Sequence, residues 1–149
     1  MAEKQEPQFA IQRIYLKDAS FETPAGIKAF AQKWEPRIQL DVNTRSEKVA
    51  EDGHEVVLRV TLTARQNEET LLLVEVEQAG IFVCKGLTDE QKRHVLGTRA
   101  PDILFPYLRE TIDNLAVKGS FPPFMLAPMN FDALYKQALE QQAAQQPAH

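Results

Sequence analysis

Cysteine is nearly missing from this chain: Cys84 is the only one in 149 residues. A single thiol excludes a disulfide framework within the chain and any cysteine-rich zinc site. Glycine is sparse too. The six glycines are scattered, with no GxGxxG or GxxxxGKS/T run, so no loop is built to cradle a phosphate. No GxSxG nucleophile elbow is present. The histidines, His54, His94 and His149, are nowhere at the i, i+4 spacing of a helical metal site. A lone histidine builds no catalytic centre, so His54 and His94 read as surface or packing residues. These gaps together point away from an enzyme, and from any metal or cofactor.

Positive charge is in deficit. Seventeen Lys and Arg face 21 Asp and Glu, a formal net charge of −4. Nucleic-acid binding needs a basic surface to neutralise phosphates, so no nucleic-acid partner is expected. No apolar run approaches the ~20 residues of a membrane span, so direct membrane insertion is not expected. The first residues, Met1 to Pro7, are polar and mixed in charge, unlike a secretory signal. The expected compartment is the cytoplasm, which also suits a reduced Cys84.

The sequence does hold one domain's worth of apolar patterning. Hydrophobic residues make up 44% of the chain and charged residues 26%, an ordinary globular balance. A chain of this length buries roughly 68–70% of its unfolded surface, enough to stand without a covalent staple. A single domain over 1–149 is expected, with frayed ends at about 1–7 and 142–149.

The first half alternates with the period of strands. Ile38, Leu40 and Val42 alternate with Gln39, Asp41 and Asn43. Val56, Leu58, Val60, Leu62 and Ala64 fall on one face of a longer run. After the polar stretch Gln66-Asn67-Glu68-Glu69, a further run extends from Thr70 to Val83, which predicts an antiparallel hairpin. Phe9 to Leu16 is also strand-like, but its apolar parity changes between Ile11 and Ile14, which predicts a bulge or two-sided burial. A short helical turn is expected around Ile27 to Trp34.

The second half has helical periodicity. Thr88-Asp89-Glu90-Gln91 resembles a capping box and opens a short helix that should break near Gly97 or Pro101. A long helix follows over about Asp102 to Lys118, distorted by Pro106 and stopped by Gly119. Asn130 can cap a last helix, in which Phe131, Leu134, Tyr135, Ala138 and Leu139 share a face. The fold class is therefore α+β, a four-stranded antiparallel sheet followed by two helices.

Two features resist a purely packing explanation. The connector between the helices holds three prolines, yet also Phe121, Phe124, Met125, Leu126 and Met129. It is either a loop pinned onto the core or the movable wall of an apolar groove. Met and aromatic side chains suit a groove for varied partners because they repack readily. The second feature is the outer face of the hairpin. Val57, Leu71 and Leu73 share parity with Glu75 and Glu77, where a solvated face should be polar throughout. Two-sided packing explains it, and so does a docking patch for a basic partner.

Several stretches, in this order and spacing, resemble the SecB family of bacterial protein-export chaperones over nearly the whole chain. They are Phe9-Ala-Ile-Gln-Arg-Ile-Tyr15 with Lys17-Asp18 and Ser20-Phe21-Glu22, then Glu55-Val-Val-Leu-Arg-Val-Thr61. Glu75-Val76 with Gly80-Ile81-Phe82, Ile103-Leu-Phe-Pro-Tyr107 with Arg109-Glu110, and Leu126-Ala-Pro128 leading to Asn130-Phe-Asp-Ala-Leu134 complete the set. The resemblance implies a homotetramer assembled as a dimer of dimers. It implies an ATP-independent holdase that keeps precursor proteins unfolded in the cytoplasm and delivers them to SecA, the export motor. The family's acidic docking surface for the basic, zinc-binding C-terminal segment of SecA matches Asp18, Glu22, Leu73 and Glu75; the zinc belongs to the partner. The groove for unfolded clients is assigned to Trp34, Phe121, Phe124, Met125, Leu126, Tyr135 and Leu139, with Trp34 open to a plain core role. The chain departs from the family in its Gln- and Ala-rich tail, which lacks the usual acidic residues for a secondary motor contact. Pro123 also stiffens the connector. Two alternatives stand beside export: a SecB-like chaperone of a toxin–antitoxin system, and a small-ligand enzyme or carrier using the apolar cavity.

Overall fold

The computed structural model describes residues 6–145. Most of the two terminal stretches expected to fray lies outside that range. Four strands form one antiparallel sheet: β1 (Gln8–Glu22), β2 (Arg37–Lys48), β3 (Gly53–Gln66) and β4 (Glu69–Lys85), in the order β1-β4-β3-β2. A 3-10 helix over Gly26–Ala31 follows β1, where a helical turn was expected. Three α-helices complete the chain: α1 (Asp89–Gly97), α2 (Arg99–Lys118) and α3 (Phe131–Gln145).

The hairpin of β3 and β4 closes through Asn67 and Glu68, at φ 53° and 66°. Two successive left-handed residues make the type of turn whose twist matches the flanking strands. Of the two readings of β1, the bulge is present: the pairing with β4 slips between Ile11 and Arg13, and again between Leu16 and Asp18. A further slip alters one expectation. Ala64 pairs with Leu72 and Arg65 with Thr70, which leaves Leu71 as an extra residue. Leu71 is thereby turned into the core and is 1% exposed. It does not share the outer face with Leu73, as its parity alone suggested.

Helix α2 lies against the inward face of β3 and β4. Val56, Leu58, Val60, Leu62, Leu72, Val74 and Phe82 meet Leu104, Leu108 and Ile112 in a closed core. Each such side chain contributes about 1.5–3 kcal/mol on leaving water. Cys84 is buried there, and burial pushes its thiol pKa up, so it is a poor nucleophile.

The helix boundaries depart from expectation in an instructive way. There are three α-helices rather than two, because the short capped segment is a separate helix. The capping box is complete: the Gln91 N–H donates to Thr88 Oγ1 at 3.1 Å, and the Thr88 N–H donates to Gln91 Oε1 at 2.9 Å. Pro101 does not break the chain but sits in the first turn of α2, where its missing N–H has no partner to lose. Pro106 lies inside α2, and the helix continues through it. The carbonyl it leaves unpaired belongs to Asp102, which is exposed and can be hydrated.

Candidate functional site

The end of α2 aims the connector. Gly119 caps the helix, but the left-handed residue is Ser120, at φ 67°. The Ser120 N–H donates to the Val117 carbonyl, and the Phe121 N–H to that of Ala116 at 2.9 Å. This pair of bonds is a Schellman motif, which turns the chain sharply. The turn drives Phe121 into the core and leaves it 5% exposed.

Phe121 is the hub of an aromatic cluster. Its ring centroid is 5.3 Å from those of Phe30 and Trp34 and 6.5 Å from that of Phe21. Trp34 lies 6.2 Å from Phe124. The cluster is not closed to solvent: Phe30 is 57% exposed, and Ile27 and Met125 are exposed beside it. Leu126 turns inward and is buried.

A residue that periodicity did not single out holds this connector in place. Asp113 on α2 accepts hydrogen bonds from the Phe124 N–H at 2.9 Å and the Met125 N–H at 3.1 Å. Met125 has φ 52°, a strained value for a side chain of its size. One carboxylate thus clamps a proline-rich loop that has few backbone partners of its own. Replacing Asp113 by Ala is expected to destabilise the fold by about 1–2 kcal/mol. It should also raise amide hydrogen exchange at Phe124 and Met125 at least tenfold. Unchanged protection at those two amides would rule out the clamp.

Tyr135 and Leu139, the remaining predicted groove residues, lie elsewhere. The structure places them on α3, lining a second recess of about 630 Å³ between α3, α1 and β2. Asn130 caps α3 as expected, with its Oδ1 accepting from the Ala133 N–H at 3.0 Å. The Tyr135 ring rests on Gly97, where a Cβ would collide with it. Val42, Thr44, Leu96, Phe131 and Leu134 share the lining. The predicted groove therefore falls into two parts. Between them runs the inward stripe of β2, where Ile38 and Leu40 are 41% and 38% exposed. Alternation had marked these as half-buried strand residues. Because β2 is an edge strand beyond the reach of α2, they remain on the surface as an apolar track.

The opposite face of the sheet is polar and ordered. Register places Glu22 opposite Leu73, Ser20 opposite Glu75 and Asp18 opposite Glu77. Asp18, Glu22, Leu73 and Glu75 thus share one patch on two adjacent strands. Among the described residues no ion pair holds Asp18 or Glu22, and both are exposed. The acids further in are paired: Glu75 with Arg59 at 2.6 Å, Glu77 with Arg45 at 3.2 Å, and Glu55 with Lys17 at 2.7 Å. Arg45 reaches over β3 at the level of Val57, which is fully covered although it lies on the outer face. The Tyr15 hydroxyl also donates to Glu55.

The Lys17 and Tyr15 hydrogen bonds hold the Glu55 carboxyl below its usual range. Burial, then the bond to Glu55, pushes the Tyr15 phenol up to about 12. The Glu55 part is present above its ordinary pKa and fades as pH falls. The Tyr15 part is present below the phenol's ordinary 10.0 and is lost as pH rises toward about 12.

Burial, with Lys92 and Lys48 nearby, lowers the His54 pKa, so the ring is neutral at pH 7. Among the described residues no group of three or more His, Cys, Asp or Glu could hold a metal ion. Among them, too, no helix is long and apolar enough to cross a membrane.

Residues 2–142 match the family model described as preprotein translocase subunit SecB. The chain belongs to the SecB family. It is 52% identical over 143 residues to the protein-export protein SecB of Hahella chejuensis, covering 96% of this chain and 90% of the relative. The protein-export protein SecB of Ectopseudomonas mendocina is 51% identical over 150 residues, covering 99% and 93%. Among solved structures, a Mycobacterium tuberculosis SecB-like chaperone in complex with a ChAD peptide from an antitoxin superposes with a TM-score of 0.67. It is 18% identical, and the match spans 82% of this chain and 91% of that one, so it supports the SecB fold. The chain is thus an export chaperone and not an enzyme.

Proposed function

We propose that this chain holds precursor proteins unfolded without ATP, in the cytoplasm, and passes them to SecA. The observation that carries the proposal is the open aromatic cluster around Phe121, continued by the bare Ile38 and Leu40 of β2 toward the recess under α3. Unfolded chains of different sequence share only apolar side chains and accessible backbone. A long apolar track beside an edge strand offers partners for both. At about 25 cal/mol per Å², a few hundred Å² of such contact matters, although ordering the client offsets much of it. The client surface then comprises Trp34, Phe124 and Met125 at one end, supported from beneath by the buried Phe121 and Leu126, and Tyr135 and Leu139 at the other.

The motor's basic, zinc-binding C-terminal segment would dock on Asp18, Glu22, Leu73 and Glu75, which lie on the far side of the sheet from this track. The exposed Glu22 lies across from Leu73 and the exposed Asp18 lies further along β1, a pattern that suits a short segment with both lysines and an apolar residue. We further propose the dimer of dimers. Two features support an assembly: the long unpaired edge of β1, which carries exposed Ile11 and Leu16, and the exposed Tyr107 and Val117 on α2. Several copies of the track on one assembly would bind a long client with added avidity.

The test is refolding of a slow-folding precursor diluted from denaturant, without ATP. A molar excess of the protein should delay recovery of native precursor severalfold. Refolding at the same rate with and without it would overturn the holdase function.

A further inference from the structure

The patch proposed for the motor segment contains an internal rival. Glu75 is not a vacant carboxylate: Arg59 Nη2 lies 2.6 Å from its Oε1. The arginine comes from β3, where it pairs in register with Glu77, and it reaches diagonally to Glu75. Glu77 in turn is taken by Arg45 from β2. Glu75 and Glu77 of β4 are therefore neutralised within the chain, while Asp18 and Glu22 on β1 are held by no ion pair among the described residues.

We propose that Arg59 competes with the docking partner for Glu75 and so sets how basic that partner must be. A cation arriving at Glu75 exchanges one ion pair for another and gains little, because the carboxylate was already satisfied. Net attraction must come from the unpaired Asp18 and Glu22 and from apolar contact at Leu73. A single lysine, such as any unfolded client carries, therefore finds no strong hold here. A segment with several cations at the right spacing engages β1 first and then displaces the guanidinium. The Arg59–Glu75 pair is about half exposed on the arginine side, with side-chain exposures of 46% and 30%, so it can open without disturbing the core. Exposed pairs of this kind are weak individually, which makes displacement by a multiply charged segment feasible.

The inference rests on the docking site proposed above, and calorimetry can separate the two. The probe is the zinc-loaded C-terminal peptide of SecA, titrated into the full-length protein at low salt. Replacing Arg59 by Gln is expected to tighten binding about two- to fivefold, the range an exposed ion pair supplies. Arg59→Lys should give a smaller gain, because the lysine still competes, though without the planar fork. The gain should vanish when Glu75→Gln is added to Arg59→Gln, and it should shrink as salt screens the exchange. Circular dichroism of each variant checks that the sheet is intact. If the wild-type protein binds the peptide and Arg59→Gln binds it equally or more weakly, Arg59 is no competitor and the docking site stands. If neither protein binds the peptide, the docking site itself is overturned and the competition with it.

Discussion

Glu75→Lys is expected to weaken binding of the SecA C-terminal segment by about 10- to 100-fold, or roughly 1.4–2.8 kcal/mol. The substitution removes a carboxylate that register places opposite Ser20 and two residues from Leu73 on the same face. It also sets a new ammonium beside Arg59, which loses its partner at 2.6 Å. The patch then carries two uncompensated cations where the partner brings its own. The loss should shrink at high salt, as expected for partly exposed charges. Client capture, on the helix-covered side of the sheet, should change less than twofold. An unchanged affinity for the segment would remove Glu75 from the docking surface.

The second large effect is expected at Phe121. Phe121→Ala empties the centre of a cluster that joins Phe21, Phe30 and Trp34. Loss of a buried aromatic ring costs about 3–5 kcal/mol. That is a large share of the ~5–15 kcal/mol holding a typical domain together. Denaturant unfolding should show it as a lower midpoint with little change in slope. Capture should fall as well, since Trp34 and Phe124 lose the ring that fixes their positions. Phe121→Leu separates the two effects: it keeps most of the volume and should cost only about 1–1.5 kcal/mol. If Phe121→Leu still delays refolding of a precursor as well as the wild type, the aromatic face is not needed for capture.

Local chemistry made much of this fold legible. The strand pattern at Val56 to Ala64, the parity change after Ile11, the box at Thr88 and Gln91, and the cap at Asn130 all depend on neighbours a few residues apart. Such signals survive in a bare sequence. The parity of Leu71 misleads because it holds only if the hairpin has no bulge, and the slip at Ala64 is a property of the pairing. Pro101 looks like a breaker in the sequence because the helix start that makes it harmless, two residues before it, carries no local signal. For the site, the sequence marked Phe121 and Phe124 by placing aromatics in a proline-rich connector. It could not mark Asp113, which acts on backbone groups 11 and 12 residues away across a turn. Nor could it show that Arg59 and Glu75 meet, because their diagonal contact depends on strand register. The separation of Tyr135 from Trp34 was equally hidden, since it depends on where α3 comes to rest.

The two faces of the sheet have a consequence for handover. The proposed client track and the proposed motor patch lie on opposite sides of a single layer of backbone, and no residue is shared between them. Occupying one side leaves the other accessible, so client and motor need not exchange places. The coupling free energy between the two ligands should then be close to zero. Delivery would follow from tethering: once the motor is bound, the client's release is a first-order event within a ternary complex, at a local concentration that dilution of the cell extract cannot change.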